Sequence, residues 1–240
     1  MVNSQIPYLR SKSSSMTEQV RQLILAEEKA AKLFEEIENR KIIIPGKTEK
    51  ELNVDVMKMA FELFGIKKFW HKRIVRSGKN TLLPYQGNPP DLIIQKDDIL
   101  FFDFGPVFDE WEADFGRTYV LGNDERKLKL QHDVEAAWHE GKDYFLANRA
   151  TITGADFFEY TQKIAIKYGW EYGNHHCGHL IGNFPHEKII GEETRNYIHS
   201  ENDILMNAPD QFGNDRQWIY EIHFIDSNLE IGGFFEQIMI

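Results

Sequence analysis

The segment DDILFFDFGPVFDEWEADFGRTYVLG, residues 97–122, combines short apolar runs with two isolated aspartates. Runs of this kind, broken by turn residues, are typical of strands in an antiparallel sheet. Asp103 closes the run ILFF, and Asp114 follows eleven residues later, before GRTYV. Burying an unpaired carboxylate costs several kcal/mol, so this pattern favours a bound cation or strong donors between two paired strands. A turn aspartate plus a surface aspartate is the alternative.

Helical patterns flank this sheet segment on both sides. Thr17 and Thr48 are predicted N-caps, Glu51 completes a capping box with Thr48, and Gly65 ends the second helix. Apolar residues at steps of three and four predict helices over residues 17–40, 48–65, 125–147 and 154–168.

Further strands are predicted between the second and third helices and after the fourth helix. The runs lie at residues 70–78, 80–85, 218–226 and 232–240, whereas residues 171–187 are loop-like. The polar residues 1–15 are expected to form a mobile tail. Residues 16–240 are then expected to form one domain, because single domains commonly reach about 250 residues.

Composition narrows the class of protein. Hydrophobic residues make up 42% and charged residues 28%, which is ordinary for a globular protein. The formal net charge of −10 repels phosphate backbones and anionic lipid, so neither nucleic acid nor a membrane is expected as a partner. The single cysteine, Cys177, excludes an intrachain disulfide framework, and the polar N-terminus lacks the apolar core of a signal peptide. A cytoplasmic location is expected.

The C-terminal half adds imidazoles and glutamates of metal-binding type. His179 and His186 lie seven residues apart in CGHLIGNFPHE, and imidazole beside carboxylate suits Zn, Mn, Fe or Co. A lone histidine is more often structural. Glu221 and Glu236 interrupt runs suited to burial, and directly opposite positions on paired strands lie only ~5 Å apart. Two buried glutamates at that distance would repel each other unless a cation or a proton separated them.

Together, DFG…EADFGRTYV and CGHLIGNFPHE resemble the pita-bread metallopeptidases, the family of methionine aminopeptidase, Xaa-Pro aminopeptidase, prolidase and creatinase. The resemblance covers about residues 17–240. It implies an α+β pita-bread fold, a curved antiparallel sheet with helices packed on its outer face. By position it implies that Asp103, Asp114, His179 and Glu236 are metal ligands. His186 resembles the histidine that contacts the scissile amide.

Two positions depart from the family pattern. The family's T-I-E-P glutamate falls on Ala208-Pro209; we prefer an alignment in which Glu221 supplies that ligand, with an incomplete or single-metal site as the alternative. The family's upstream histidine falls on Tyr85, so substrate handling is expected to differ. His71 is a possible stand-in for that histidine, although a structural role is expected.

The resemblance implies a metallopeptidase with two divalent transition-metal ions (Mn, Co, Fe or Zn), manganese being one of the expected ions. Expected ligands are Asp103, Asp114, His179, Glu221 and Glu236. A metal-bridging hydroxide would attack a short peptide or small amide, with Glu221 shuttling the proton and His186 and His175 stabilising the oxyanion. Tyr85 and His175 are the expected substrate contacts.

The expected activity is release of an N-terminal residue, most simply as an Xaa-Pro aminopeptidase, with a homodimer as an expected assembly. Two alternatives stay open. One is a catalytically silent pita-bread protein that acts as a binding module, and the other is a metal-independent amidinohydrolase resembling creatinase.

Overall fold

The computed structural model describes residues 16–185, 193–210 and 213–240. The tail expected at residues 1–15 and the predicted catalytic residue His186 lie outside the described residues. The described helices are α1 (Glu18–Asn39), α2 (Glu49–Phe64), α3 (Glu125–Asn148) and α4 (Gly154–Tyr168). No helix among the described residues has the length and apolar character needed to cross a membrane.

The helix ends follow the local signals in the sequence. The Thr17 side chain accepts a hydrogen bond from the backbone N–H of Val20, which fixes the first turn of α1. Thr48 and Glu51 form a complete capping box at the start of α2, and Gly65 ends that helix in the left-handed conformation. Each of these predicted ends is confirmed.

The strands form one main antiparallel sheet. Their bounds are β1 (Ile74–Ser77), β2 (Ile99–Phe104), β3 (Val107–Phe108), β4 (Trp111–Glu112), β5 (Phe115–Val120), β6 (Glu171–Tyr172), β7 (Gly178–Leu180), β8 (Trp218–Asp226) and β9 (Ile231–Ile238). The sheet order is β1-β2-β5-β9-β8-β6, with β7 also paired to β8, whereas β3 and β4 form a separate hairpin. The predicted C-terminal hairpin is therefore confirmed as β8 and β9.

One predicted strand is wrong. Residues 80–85 were expected to be extended, but Gly78–Leu82 form a 3₁₀-helix. The reason is a polar contact from a distant part of the chain: the Asn80 side chain donates to both carboxylate oxygens of Glu49, each at 3.0 Å, and to the Pro90 carbonyl at 2.8 Å. These bonds hold the segment in a helical turn, so it does not pair as a strand.

The sheet separates an apolar face from a polar one. Because side chains alternate along a strand, Phe102 and Phe104 of β2 pack with α1 and α2, and Asp103 points to the opposite face. On β8, Tyr220 and Ile222 join the core beneath α3, and Glu221 between them faces away from that core. The helices thus cover one face, as the α+β fold class implied, and the buried carboxyls collect on the other.

Candidate metal centre

Three buried carboxylates form a row across the sheet. Glu221 of β8 lies directly opposite Glu236 of β9, and Glu236 lies opposite Gly116 of β5. Gly116 is in turn opposite Asp103 of β2 and adds no side chain to the row. The predicted cross-strand position of Glu221 and Glu236 is confirmed by this register. Four neighbouring strands thus bring Asp103, Glu236 and Glu221 to one place.

Asp114 and His179 lie beside this row of carboxylates and complete the centre. Asp114 immediately precedes β5, and His179 lies on β7, opposite Ile219 of β8. The His179 Nε2 atom lies 3.1 Å from Asp114 Oδ2 and 3.8 Å from Glu236 Oε1. The ligand-type atoms of Asp114, His179 and Glu236 all lie within 4.8 Å of one another, close enough to share one ion.

His71 also lies in the centre, although the sequence analysis expected it to be structural. Its Nε2 atom is 3.0 Å from Asp114 Oδ1 and 3.5 Å from Asp103 Oδ1. The pairing of β1 with β2 explains this position: Ile74 is opposite Asp103, and the Trp70 N–H donates to the Gly105 carbonyl at 2.8 Å. Residues just before β1 therefore reach the end of β2 that carries the aspartate.

The surroundings raise the pKa of some ionisable groups of the centre and lower the pKa of another. Burial raises the pKa of Asp103 to about 7 against the influence of His71. Burial, together with the neighbouring carboxylates, raises the pKa of Glu236 well above its usual range. Although burial opposes the shift, the nearby imidazoles hold the pKa of Asp114 below its usual range. Burial likewise opposes protonation of His71 and His179, but the acidic neighbours raise the pKa of each to about 9.

The donor set fits divalent transition-metal ions. Asp103 Oδ1 and Glu236 Oε2 are shielded from solvent and have no hydrogen-bond partner among the described residues. Buried carboxylate oxygens without donors are costly, and a cation is the group that satisfies several of them together. Carboxylates mixed with imidazole match Mn, Fe, Co or Zn rather than a soft ion.

Comparisons with known proteins identify the family of the chain. The model of metallopeptidase family M24 matches residues 21–232. The chain belongs to this family. It is 28% identical over 146 residues to an Xaa-Pro dipeptidase of Pyrococcus horikoshii, an alignment that covers 60% of this chain and 40% of the relative. The M24 chain thus spans only about two fifths of that curated relative.

Solved structures give the same picture for the fold, which is the α+β pita-bread fold implied by the sequence. A dipeptidase from Pyrococcus horikoshii superposes with a TM-score of 0.74 at 27% identity, covering 93% of this chain and 57% of the other. A methionine aminopeptidase from Thermotoga maritima has a TM-score of 0.68 at 16% identity, covering 93% of each chain, and shows the fold alone.

Two tyrosines lie close to the histidines of the centre. The Tyr85 ring lies 5.7 Å from the His71 ring, and its hydroxyl accepts the Lys72 N–H at 3.1 Å. The Tyr197 ring is 41% exposed and lies 6.2 Å from the His179 ring. Tyr85 therefore contacts the centre through His71, and the exposed Tyr197 lies near His179.

Two adjacent histidines have different environments. His175, a predicted substrate contact, is exposed. His176, to which the sequence analysis gave no role, is partly buried, and its Nδ1 atom lies 2.5 Å from Glu221 Oε1. The only sequence signal for His176 was its place three residues before His179, and the neighbouring His175, four residues before His179, was an equally good candidate.

The loop before β8 contains Ala208, the position at which the sequence analysis found a departure from the family pattern. The Ala208 N–H donates to the Leu205 carbonyl, and the Trp218 indole donates to the Met206 carbonyl at 3.0 Å. These contacts hold the Ala208 segment ahead of the strand, whereas Glu221 lies within it, directly opposite Glu236. The placement of Glu221 in the carboxylate row is what the preferred alignment requires.

Proposed function

We propose that this M24 chain is a metal-dependent aminopeptidase that binds two divalent transition-metal ions and releases the N-terminal residue of short peptides. The proposed ligands are Asp103, Asp114, His179, Glu221 and Glu236. The observation that carries the proposal is the convergence of these side chains, all buried or nearly so, on one face of the sheet. A donor set of this kind without a metal would leave buried carboxylates unsatisfied.

The ions would supply Lewis acidity and an activated water nucleophile. The chain's own residues would position the reacting groups and transfer the proton. Asp114 presents one carboxylate oxygen to His71 and the other to His179, so it can hold groups on both sides in fixed positions. The His176 Nδ1 atom lies 2.5 Å from Glu221 Oε1, so an imidazole stands beside the carboxylate that is proposed to shuttle the proton.

Substrate choice is proposed from the surroundings and from the relatives. The curated relative from Pyrococcus horikoshii is named an Xaa-Pro dipeptidase, which supports peptides with proline in the second position. Tyr85, His175 and His186 are proposed to contact the peptide. Tyrosine at position 85 can donate a hydrogen bond but carries no positive charge at neutral pH, which favours recognition of a neutral carbonyl over a carboxylate. Mn, Co, Fe and Zn are all candidate ions in this proposal, and manganese is among those to be tested.

The test is hydrolysis by metal-stripped protein reloaded separately with Mn²⁺, Co²⁺, Fe²⁺ or Zn²⁺. Dipeptides and tripeptides with proline, alanine or a bulky residue in the second position serve as substrates. We expect activity to appear only after reloading and to fall at least a hundredfold in Asp114→Asn. His132→Gln, on an exposed face of α3, is the matched control and should retain full activity.

Two results would overturn the proposal. Protein that binds no ion under any of these conditions would contradict the metal centre itself. Protein that binds ions but cleaves no peptide in the panel would favour the alternative of a binding protein that has kept the scaffold.

A further inference from the structure

We infer that His71 is an additional metal ligand, so that each of the two proposed metal positions has its own imidazole. This inference rests on the proposed function, because it concerns the same ions. The family resemblance assigns five ligands, and His71 is not one of them. The geometry around His71 nevertheless matches that of the proposed ligand His179 in three respects.

The first respect is the position of the ring relative to Asp114. His71 Nε2 lies 3.0 Å from Asp114 Oδ1, and His179 Nε2 lies 3.1 Å from Asp114 Oδ2. The two imidazoles therefore approach opposite oxygens of one carboxylate. Each also approaches a second carboxylate, which is Asp103 for His71 at 3.5 Å and Glu236 for His179 at 3.8 Å. The centre thus divides into two similar groups that share Asp114.

The second respect is the tautomer. His71 Nδ1 lies 2.8 Å from the Lys72 carbonyl oxygen, and His179 Nδ1 lies 2.9 Å from the Leu180 carbonyl oxygen. A carbonyl oxygen only accepts, so Nδ1 must carry the hydrogen in both rings. In the neutral ring the lone pair is then on Nε2, which faces the carboxylates. Histidines that bind metals are commonly oriented by a hydrogen bond of this type from the other ring nitrogen.

The third respect is rigidity. The His71 side chain is 7% exposed and lies edge-on against the Trp70 ring, at 4.4 Å between centroids. The Trp70 ring also lies 5.2 Å from the His179 ring, and its indole donates to the Ala113 carbonyl at 3.0 Å. Gly105 is needed here, because a Cβ at that position would lie 2.2 Å from His71 Cδ2. The His71 ring is thus held between Trp70 and the backbone of Gly105.

The spacing of the atoms suits coordination. Ligand atoms that each lie about 2.0 to 2.2 Å from one ion, at angles between square and tetrahedral, are about 3.0 to 3.5 Å apart. The distances from His71 Nε2 to the two aspartates, 3.0 and 3.5 Å, span this range. His71, Asp103 and Asp114 also form a group whose ligand-type atoms lie within 4.8 Å of one another.

A second imidazole has a consequence for metal preference. Carboxylates alone suit Mn²⁺, whereas imidazole favours Co²⁺ and Zn²⁺. With His71 as a ligand, neither metal position consists of oxygen ligands only. Both positions should therefore prefer Co²⁺ to Mn²⁺, and removing His71 should reduce that preference at one position.

The experiment is calorimetric titration of the metal-stripped full chain with Co²⁺ and, separately, with Mn²⁺. Wild-type protein, His71→Gln and the control His132→Gln are compared, and circular dichroism checks that each variant is folded. The control removes an imidazole whose side chain is 79% exposed. We expect His71→Gln to bind one Co²⁺ ion as wild type does and the other at least tenfold more weakly. Its affinity for Mn²⁺ should change less, and the control should match wild type.

A second measurement needs no variant. In Co²⁺-loaded wild-type protein, a coordinated imidazole gives a strongly shifted and exchangeable N–H resonance in the proton NMR spectrum. We expect one such resonance from His71 and one from His179, because both Nδ1–H groups are held by carbonyl oxygens.

The outcomes separate the inference from the proposed function. Wild-type protein that binds no ion would overturn both. Two ions bound with equal affinity in wild type and His71→Gln, or a single shifted N–H resonance, would overturn the role of His71 alone. A gain of an ion in His71→Gln would also overturn it, because the imidazole would then be acting as a cation in place of a metal.

Discussion

Metal uptake by this chain should release protons, and the number released can be worked out from the structure. A group coordinates a metal only in its unprotonated form, so any proton that it holds in the metal-free protein must leave. Below the pKa of each ligand, protons compete with the ion. Raising the pH should therefore strengthen metal binding until the ligands are already deprotonated.

The magnitude follows from the shifted groups of the metal-free centre. Burial and the neighbouring carboxylates raise the pKa of Glu236, which favours its protonated form in the metal-free protein. His71 and His179, each with a pKa of about 9, hold one proton apiece. Asp103, with a pKa of about 7, is half protonated. Binding of both ions at pH 7 should thus release at least about two protons, and the product of the two affinities should rise at least about a hundredfold per pH unit.

The assay is calorimetry at fixed pH in several buffers that do not bind the metal and that differ in ionisation enthalpy. The slope of the observed heat against that enthalpy gives the number of protons released. Repeating the series from pH 6 to pH 10 should show the number falling as the pH passes 9. His71→Gln should release about one proton fewer than wild type at pH 7, and His132→Gln should release the same number.

A release of less than one proton at pH 7 would refute this reasoning. It would mean that the carboxyls and imidazoles of the metal-free protein are already unprotonated, contrary to the effect of burial and of their mutual charges. If the number of protons released were as expected but equal in wild type and His71→Gln, it would instead show that His71 keeps its proton beside the ions.

Three further predictions concern single residues. Glu221→Gln should weaken metal binding at least tenfold and lower peptide hydrolysis in parallel; retention of both would contradict its place in the ligand set. Burial raises the pKa of Glu27 from 4.5 to about 8, so the native state holds an extra proton in that window and the free energy of unfolding should fall as pH rises through it, by up to about 1.4 kcal/mol per unit. Urea denaturation should show a smaller fall in Glu27→Gln, and equal slopes would refute the shift. Gly178→Ala would place a Cβ 2.1 Å from the Ile219 carbonyl oxygen, so it should cost several kcal/mol of stability in the same assay; an unchanged midpoint would contradict the close approach.

Local signals were sufficient for the helices and for most of the carboxylate row. Thr17, Thr48 and Gly65 act on neighbouring backbone groups, so their effects can be read from adjacent residues alone. Asp103 and Glu221 could be selected because each interrupts a run of apolar side chains, and burial of a carboxylate demands a partner wherever the strand lies.

Features that depend on pairing between distant segments could not be read in the same way. Residues 80–85 look like a strand until Glu49, about thirty positions earlier, binds the Asn80 amide. His71 has no unusual neighbours in sequence, and only the register of β1 against β2 brings it to Asp103. His176 was indistinguishable from His175 by type and position, and only the fold buries one beside Glu221 and exposes the other.

The same register explains how the chain can fold before any ion binds. Several carboxylates gathered on one buried face would repel each other strongly if all were charged. Two imidazoles whose pKa values are raised to about 9 lie among these carboxylates, and the raised pKa of Glu236 favours its neutral form, so positive charge and protonation offset much of the negative charge. Two divalent ions can then replace those protons with little change in the net charge of the site. A centre that is close to electrically balanced in both states needs no metal to form, and its metal-free form should therefore be folded and ready to bind.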